Sequence, residues 1–79
     1  MNNQELLYKT FAEALQVDVL SISDDLRYQS ITEWDSIAHM VLINEIEINF
    51  NVIIETDDVI DMSSVAKAKQ ILSKYNINF

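Results

Sequence analysis

The chain has 79 residues, of which 49% are hydrophobic and 23% are charged, and it contains no cysteine, glycine or proline. This composition predicts one folded domain, residues 1–79, and excludes disulfides, thiolate metal sites and cysteine nucleophiles. Thirteen acidic and five basic residues give a formal net charge of -8, which disfavours nucleic acid and anionic lipid as partners.

The first predicted helix covers about Asn3 to Gln16. Its apolar residues recur at spacings of four, three and one, which places them on one face: Leu7, Phe11, Ala14 and Leu15. Asn2 or Asn3 can cap this helix, since an asparagine side chain accepts hydrogen bonds from free backbone N–H groups.

The next segment, Val17 to Asp35, has no sustained helical period and predicts a long loop, with a short helical turn near Asp24 to Arg27. A loop of this length in so small a domain is expected to pack on the core or to carry function. Scattered apolar residues should hold it against the core: Ile22, Leu26, Ile31 and Trp34.

The second strong helix is predicted from about Ser36 to Phe50. In it Leu42, Ile46 and Phe50 repeat every four residues and form a buried stripe with Ile43. The helix has more apolar residues than one stripe needs: Ile37, Met40, Val41 and Ile48. Periodicity leaves two interpretations open. These residues either form an exposed partner-binding surface rimmed by acids or pack against a second side of a bundle.

The C-terminal part predicts a turn, a short helix and a final helix. Asn49 or Asn51 can end the second helix in the left-handed conformation, and residues 52–54 are expected to form a buried loop. The short helix should be capped by Thr56 or Asp57, and the last, about Ser63 to Tyr75, by Ser63 or Ser64. The predicted fold class is all-α, a small four-helix bundle of three main helices and a short third helix.

Ser36, at the start of the second helix, has three interpretations. Either Asp35 or Ser36 could simply cap the helix. Ser36, His39 and Asp35 have the residue types of a catalytic triad, but neighbours on one helical turn point outward side by side. We therefore predict that the protein is not an enzyme and that His39 lies on the surface. The third interpretation is covalent attachment, because the N–H groups at a helix N-terminus stabilise a phosphate.

The sequence "DSI" followed by "HMVLINEIEINF" resembles the signature of the acyl carrier proteins, and the resemblance extends over nearly the whole chain. It implies that Ser36, beside the motif aspartate Asp35, carries 4'-phosphopantetheine transferred from coenzyme A by a phosphopantetheinyl transferase. The arm would hold acyl or aminoacyl groups as thioesters for loading and transferring enzymes, and its thiol would serve a chain that has no cysteine.

The resemblance also implies docking residues for these partners. Apolar contacts would come from Ile37, Met40 and Val41, and acidic contacts from Glu47 and from the short helix with Asp57, Asp58 and Asp61. Two features favour a carrier of a dedicated biosynthetic pathway over a housekeeping fatty-acid carrier. One is Trp34, and the other is that Val41 and Ile48 are apolar at positions where fatty-acid carriers often have an acidic residue.

The competing function class is an unmodified acidic helical domain that binds a basic or amphipathic partner. No signal peptide or membrane-spanning run is visible, so we expect a soluble cytoplasmic monomer without membrane insertion. No metal site is predicted.

Overall fold

The computed structural model covers residues 1–79 and contains four α-helices and no β-strand, which confirms the predicted small helical bundle. A short 3₁₀ helix, Val19–Ser21, lies in the long loop between the first two helices. None of the helices has the length and apolarity needed to span a membrane. The α-helices are α1 (Asn3–Leu15), α2 (Ser36–Phe50), α3 (Thr56–Asp61) and α4 (Val65–Ser73).

Two helices end on a left-handed residue although the chain has no glycine. Gln16 (φ 58°) ends α1 and Asn51 (φ 54°) ends α2. Asn51 therefore has its predicted role, whereas Gln16, predicted as the last residue of the first helix, is the residue that follows it. A left-handed conformation costs a residue with a Cβ about 1–2 kcal/mol. The backbone N–H of Asn51 offsets part of this cost by donating to the Glu47 carbonyl.

The loop between α1 and α2 differs from its prediction. Its helical turn lies at Val19–Ser21, where the Asp18 carboxylate accepts from the Leu20 N–H at 2.9 Å, and the expected helical turn at 24–27 is only a hydrogen-bonded turn. The physical reason is a long-range pairing. The Leu26 carbonyl accepts from the Val65 N–H at 3.0 Å. The Tyr28 N–H donates to the Ser63 carbonyl at 2.9 Å. These bonds hold the segment extended against the start of α4.

The caps of the last two helices also differ in part. The residue before α3 is Glu55, which makes no side-chain cap, so neither Thr56 nor Asp57 caps that helix. Ser64 caps α4 as predicted, accepting from the Lys67 N–H at 2.9 Å. Helix α4 ends at Ser73, two residues before the predicted end.

The core is formed by the inner faces of α1, α2 and α4, and α1 packs chiefly against α2. Trp34 from the long loop is completely buried and packs edge-to-face on Phe11, with ring centroids 5.3 Å apart. Phe50, predicted in the buried stripe of α2, is only half-buried. The other main core residues are Leu7, Leu15, Leu42, Ile43, Ile46, Val65, Ala68, Ile71 and Leu72.

A polar cluster fastens the long loop to the helices. The Tyr8 hydroxyl donates to Asp24 at 2.6 Å, and Lys69 of α4 pairs with the same carboxylate at 2.8 Å. The hydrogen bond to Asp24, together with burial, raises the pKa of Tyr8 to about 12. Lys69 and Tyr8 lower the pKa of Asp24, so all three groups favour the ionised carboxylate and the neutral phenol.

Candidate functional site

Ser36 is the first residue of α2, and its side chain is exposed. Of the two capping residues that the sequence left open, Asp35 is the cap: its carboxylate accepts from the Ala38 N–H at 2.8 Å. The Ser36 hydroxyl makes no hydrogen bond within the protein. Because Asp35 caps the helix, the hydroxyl oxygen of Ser36 remains free to react.

The first turn of α2 also offers free backbone donors. The first helical backbone bond here runs from His39 N–H to the Asp35 carbonyl at 2.9 Å, and the Asp35 side chain takes the Ala38 N–H. The N–H groups of Ser36 and Ile37 have no partner in the protein. Such groups, with the positive end of the helix dipole, stabilise an anion bound to the serine.

Ser36 lines a largely apolar cleft of about 310 Å³ between the start of α2 and helix α3. The cleft is open to solvent on one side, so a chain attached to the serine can lie along it. The other walls of the cleft are Tyr28, His39, Met40, Val59, Ile60, Met62 and Ser63.

His39 is half-buried and links the loop, α2 and α3, contrary to the expected surface position. Its Nδ1 accepts from the Trp34 indole N–H at 3.0 Å, and its Nε2 lies 2.8 Å from the Val59 carbonyl oxygen. Because the indole N–H can only donate and the carbonyl can only accept, these hydrogen bonds fit the tautomer that carries its proton on Nε2. Tyr28 packs edge-on against the imidazole, with centroids 5.3 Å apart. The sequence did not indicate this link because Val59 lies twenty residues away, in α3.

The additional apolar residues of α2 are exposed. The exposed fractions are 77% for Ile37, 62% for Met40, 45% for Val41 and 64% for Ile48. Of the two interpretations that periodicity left open, packing on a second side is excluded, because no element of the chain covers these residues. They form an apolar surface beginning beside Ser36, which we call the α2 outer face.

A second groove lies on the other side of Ser36, between the end of α1 and the start of α2. It has a volume of about 410 Å³ and includes Ile37 and Val41 of the α2 outer face. Glu13, Glu33 and Asp35 also line it, and no basic residue does. An apolar floor with a carboxylate rim suits an apolar side chain accompanied by a basic one.

The predicted docking acids fall into different surroundings. Asp57 and Asp61 are exposed, and Asp61 pairs with Lys67 at 3.3 Å. Glu47 is half-buried, and its carboxylate accepts from the Ile54 N–H at 2.9 Å, so this side chain also holds the loop that follows α2.

Asp58 does not belong with the exposed acids, which corrects its assignment as a docking residue. It is only 8% exposed, because its carboxylate pairs with Lys74 at 2.6 Å and accepts from the Tyr75 hydroxyl at 2.6 Å. The Lys74 bond, followed by the Tyr75 bond, lowers the pKa of Asp58. Its role in this structure is to hold α3 against the residues that follow α4.

Comparison with known proteins adds no family assignment. No protein-family model matches this sequence, and no curated protein or solved structure is significantly similar to it.

Proposed function

We propose that the protein is a carrier that bears acyl or aminoacyl groups as thioesters on a 4'-phosphopantetheine arm attached to Ser36. The observation that carries the proposal is the free, exposed hydroxyl of Ser36 at the N-terminus of α2, with Asp35 acting as the cap and an apolar cleft alongside. The resemblance to the acyl carrier signature supports the same serine.

The residues around Ser36 fit a phosphodiester-linked arm. Two unpartnered N–H groups, those of Ser36 and Ile37, can stabilise the phosphate, and the cleft can accommodate the apolar part of the arm. When attached, the arm supplies the thiol that the cysteine-free chain lacks. Attachment from coenzyme A requires a phosphopantetheinyl transferase, and the dependence on coenzyme A implies a cytoplasmic location.

Partner enzymes would dock on the α2 outer face. Ile37, Met40 and Val41 provide exposed apolar contacts beside the serine, and Asp57 and Asp61 provide carboxylates that steer a basic partner surface. Because this face is more apolar than in the fatty-acid carriers that the sequence resembles, we propose client enzymes of a dedicated biosynthetic pathway.

The surroundings of His39 support a carrier rather than an enzyme. Both ring nitrogens are engaged, one with Trp34 and one with Val59. A general base for Ser36 would need a free nitrogen within hydrogen-bond reach of the serine oxygen.

An alternative is an unmodified acidic helical interaction domain, and the exposed α2 outer face favours it equally. The two functions differ in the role of Ser36. The alternative predicts that Ser36→Ala leaves partner binding intact, whereas a carrier loses its function.

The test is modification at Ser36. The purified protein is incubated with coenzyme A and a broad-specificity phosphopantetheinyl transferase, and the intact mass is measured. We expect the wild type to gain one phosphopantetheine and Ser36→Ala to gain none. Ser63→Ala, which changes another exposed serine that lines the same cleft, should gain it normally. No gain by the wild type, or an equal gain by Ser36→Ala, would show that the proposal is wrong.

A further inference from the structure

We propose that the cargo of this carrier is an acyl group ending in a carboxylate, and that the carboxylate binds in a cationic cavity beside the Ser36 cleft. The inference rests on the proposed function, because it requires an arm on Ser36. It chooses between the two cargo classes that the carrier proposal leaves open, acyl and aminoacyl groups.

The cavity is a depression of about 470 Å³ that is open to solvent and lies between the long loop and the start of α4. It shares two walls, Tyr28 and Ser63, with the Ser36 cleft, so the two spaces adjoin. An arm that follows the cleft away from Ser36, past Tyr28 and Ser63, therefore runs toward the cavity. The polar residues that line the cavity, besides Tyr28 and Ser63, are Arg27, Ser64, Lys67 and Gln70.

The charge of this cavity is opposite to that of the rest of the molecule. No acidic residue lines it, although the chain has thirteen acids and five bases. The two lysines of α4 and the one that follows it are each paired with an aspartate: Lys67 with Asp61, Lys69 with Asp24 and Lys74 with Asp58. Arg27 has no carboxylate partner.

The unpaired guanidinium of Arg27 indicates which ligand fits. Its planar fork of N–H groups matches a carboxylate, which it binds with two parallel hydrogen bonds. Lys67 can contribute because its pair with Asp61 is long, 3.3 Å, and exposed, and such pairs are weak. The ammonium of an aminoacyl cargo would be repelled by both cations.

The experiment compares three arms of equal length on the holo protein. Coenzyme A analogues in which an amide replaces the thioester are loaded on Ser36 with succinyl, β-alanyl or butyryl ends, which are anionic, cationic and neutral. We expect only the succinyl arm to shift the NMR signals of the Arg27 side chain and of the backbone N–H groups of Ser63 and Lys67. The β-alanyl and butyryl arms should leave these signals where they are.

The decisive measurement is the titration midpoint of the succinyl carboxylate, labelled with ¹³C, compared with its midpoint on the free arm. A carboxylate that stays in solvent beside a protein of net charge -8 titrates at higher pH than on the free arm, because the other acids repel its charge. A carboxylate bound to Arg27 and Lys67 titrates at lower pH. We expect the lower midpoint, and a midpoint equal to or above that of the free arm would overturn the inference.

Two variants with the same change of charge complete the test. Arg27→Gln should move the carboxylate midpoint back above that of the free arm. Lys9→Gln, which removes an exposed cation of α1 that has no ion pair and does not line the cavity, should retain the lower midpoint. If both variants changed the carboxylate midpoint equally, net charge alone would explain the change and the binding site would be refuted. If no arm can be attached to Ser36 at all, the carrier proposal itself fails; an attached arm with a raised midpoint refutes only the cavity.

Discussion

The two faces of α2 consist of similar residues in opposite surroundings. On the inner face, Leu42 and Ile46 are completely buried against the core. On the outer face, Ile37 is 77% exposed and Ile48 is 64% exposed. A helix that is apolar all round is normally buried on every side. The comparison teaches that the inner face stabilises the fold, whereas the outer face is available for a partner.

The two faces meet at the first turn of α2, where adjacent residues have separate tasks. Asp35 caps the helix, and His39 makes the polar link from the inner face to Trp34 and Val59. Ser36 does neither and remains free. Stability and the proposed chemistry are thus assigned to different side chains, so mutations can separate them.

The largest effect should come from truncating the inner face. Leu42→Ala removes a completely buried side chain of the inner face and should lower the free energy of unfolding by about 2–5 kcal/mol. Ile37→Ala, on the exposed outer face, should change it by less than about 0.5 kcal/mol. Urea unfolding followed by circular dichroism measures both. Similar losses for the two variants would contradict the distinction between the faces.

The next effect should come from the polar link. His39→Leu leaves the Trp34 indole N–H and the Val59 carbonyl without a partner and should cost about 1–3 kcal/mol of stability. The NMR signal of the indole N–H should move at the same time. Met40→Leu, an exposed change one residue further along, is the control and should leave both the signal and the stability unchanged. An unmoved indole signal in His39→Leu would argue against the hydrogen bond.

A smaller effect should separate the cap from its neighbour. Asp35→Ala removes the bond to the Ala38 N–H and should lower the free energy of unfolding by about 1 kcal/mol. Ser36→Ala should alter stability by less than about 0.5 kcal/mol, yet abolish addition of phosphopantetheine. Thermal unfolding and intact mass measure the two properties. If Ser36→Ala is the less stable variant, the serine and not the aspartate is the cap.

We expect the smallest effect from Asp58, because its partner Lys74 is largely exposed and water screens the pair. The pKa of Asp58 is lowered in the folded protein, so its contribution to stability is complete at neutral pH and is lost as the pH falls through the range of carboxyl titration. The stability difference between wild type and Asp58→Asn should therefore shrink below about pH 4. A difference that is constant with pH would contradict the ion pair.

Local patterns determined the parts of the structure that depend on neighbouring residues. The spacing of Leu42 and Ile46 predicted the buried stripe, and Asn51 and Ser64 have the capping roles expected of their residue types. The approximate bounds predicted for α2, about Ser36 to Phe50, agree with those of the structure. The free serine at its N-terminus was among the predicted interpretations, although the sequence left open whether Asp35 or Ser36 is the cap.

The remaining features depend on contacts between residues far apart in the chain. His39 was expected on the surface, and only the approach of Val59 in α3, twenty residues away, shows that it links α2 to α3. Asp58 was grouped with the docking acids until Lys74 and Tyr75, sixteen and seventeen residues away, were found against its carboxylate.

By itself, the sequence determined that this chain folds as an all-helical bundle and that a serine begins its second helix. Tertiary structure alone decided which apolar residues are covered, which acids are free and that Arg27 lies in a cavity next to the Ser36 cleft. The physical reason is the range of the interactions. Helix periods and caps act within about one turn, whereas burial and ion pairing depend on segments that only the fold brings together.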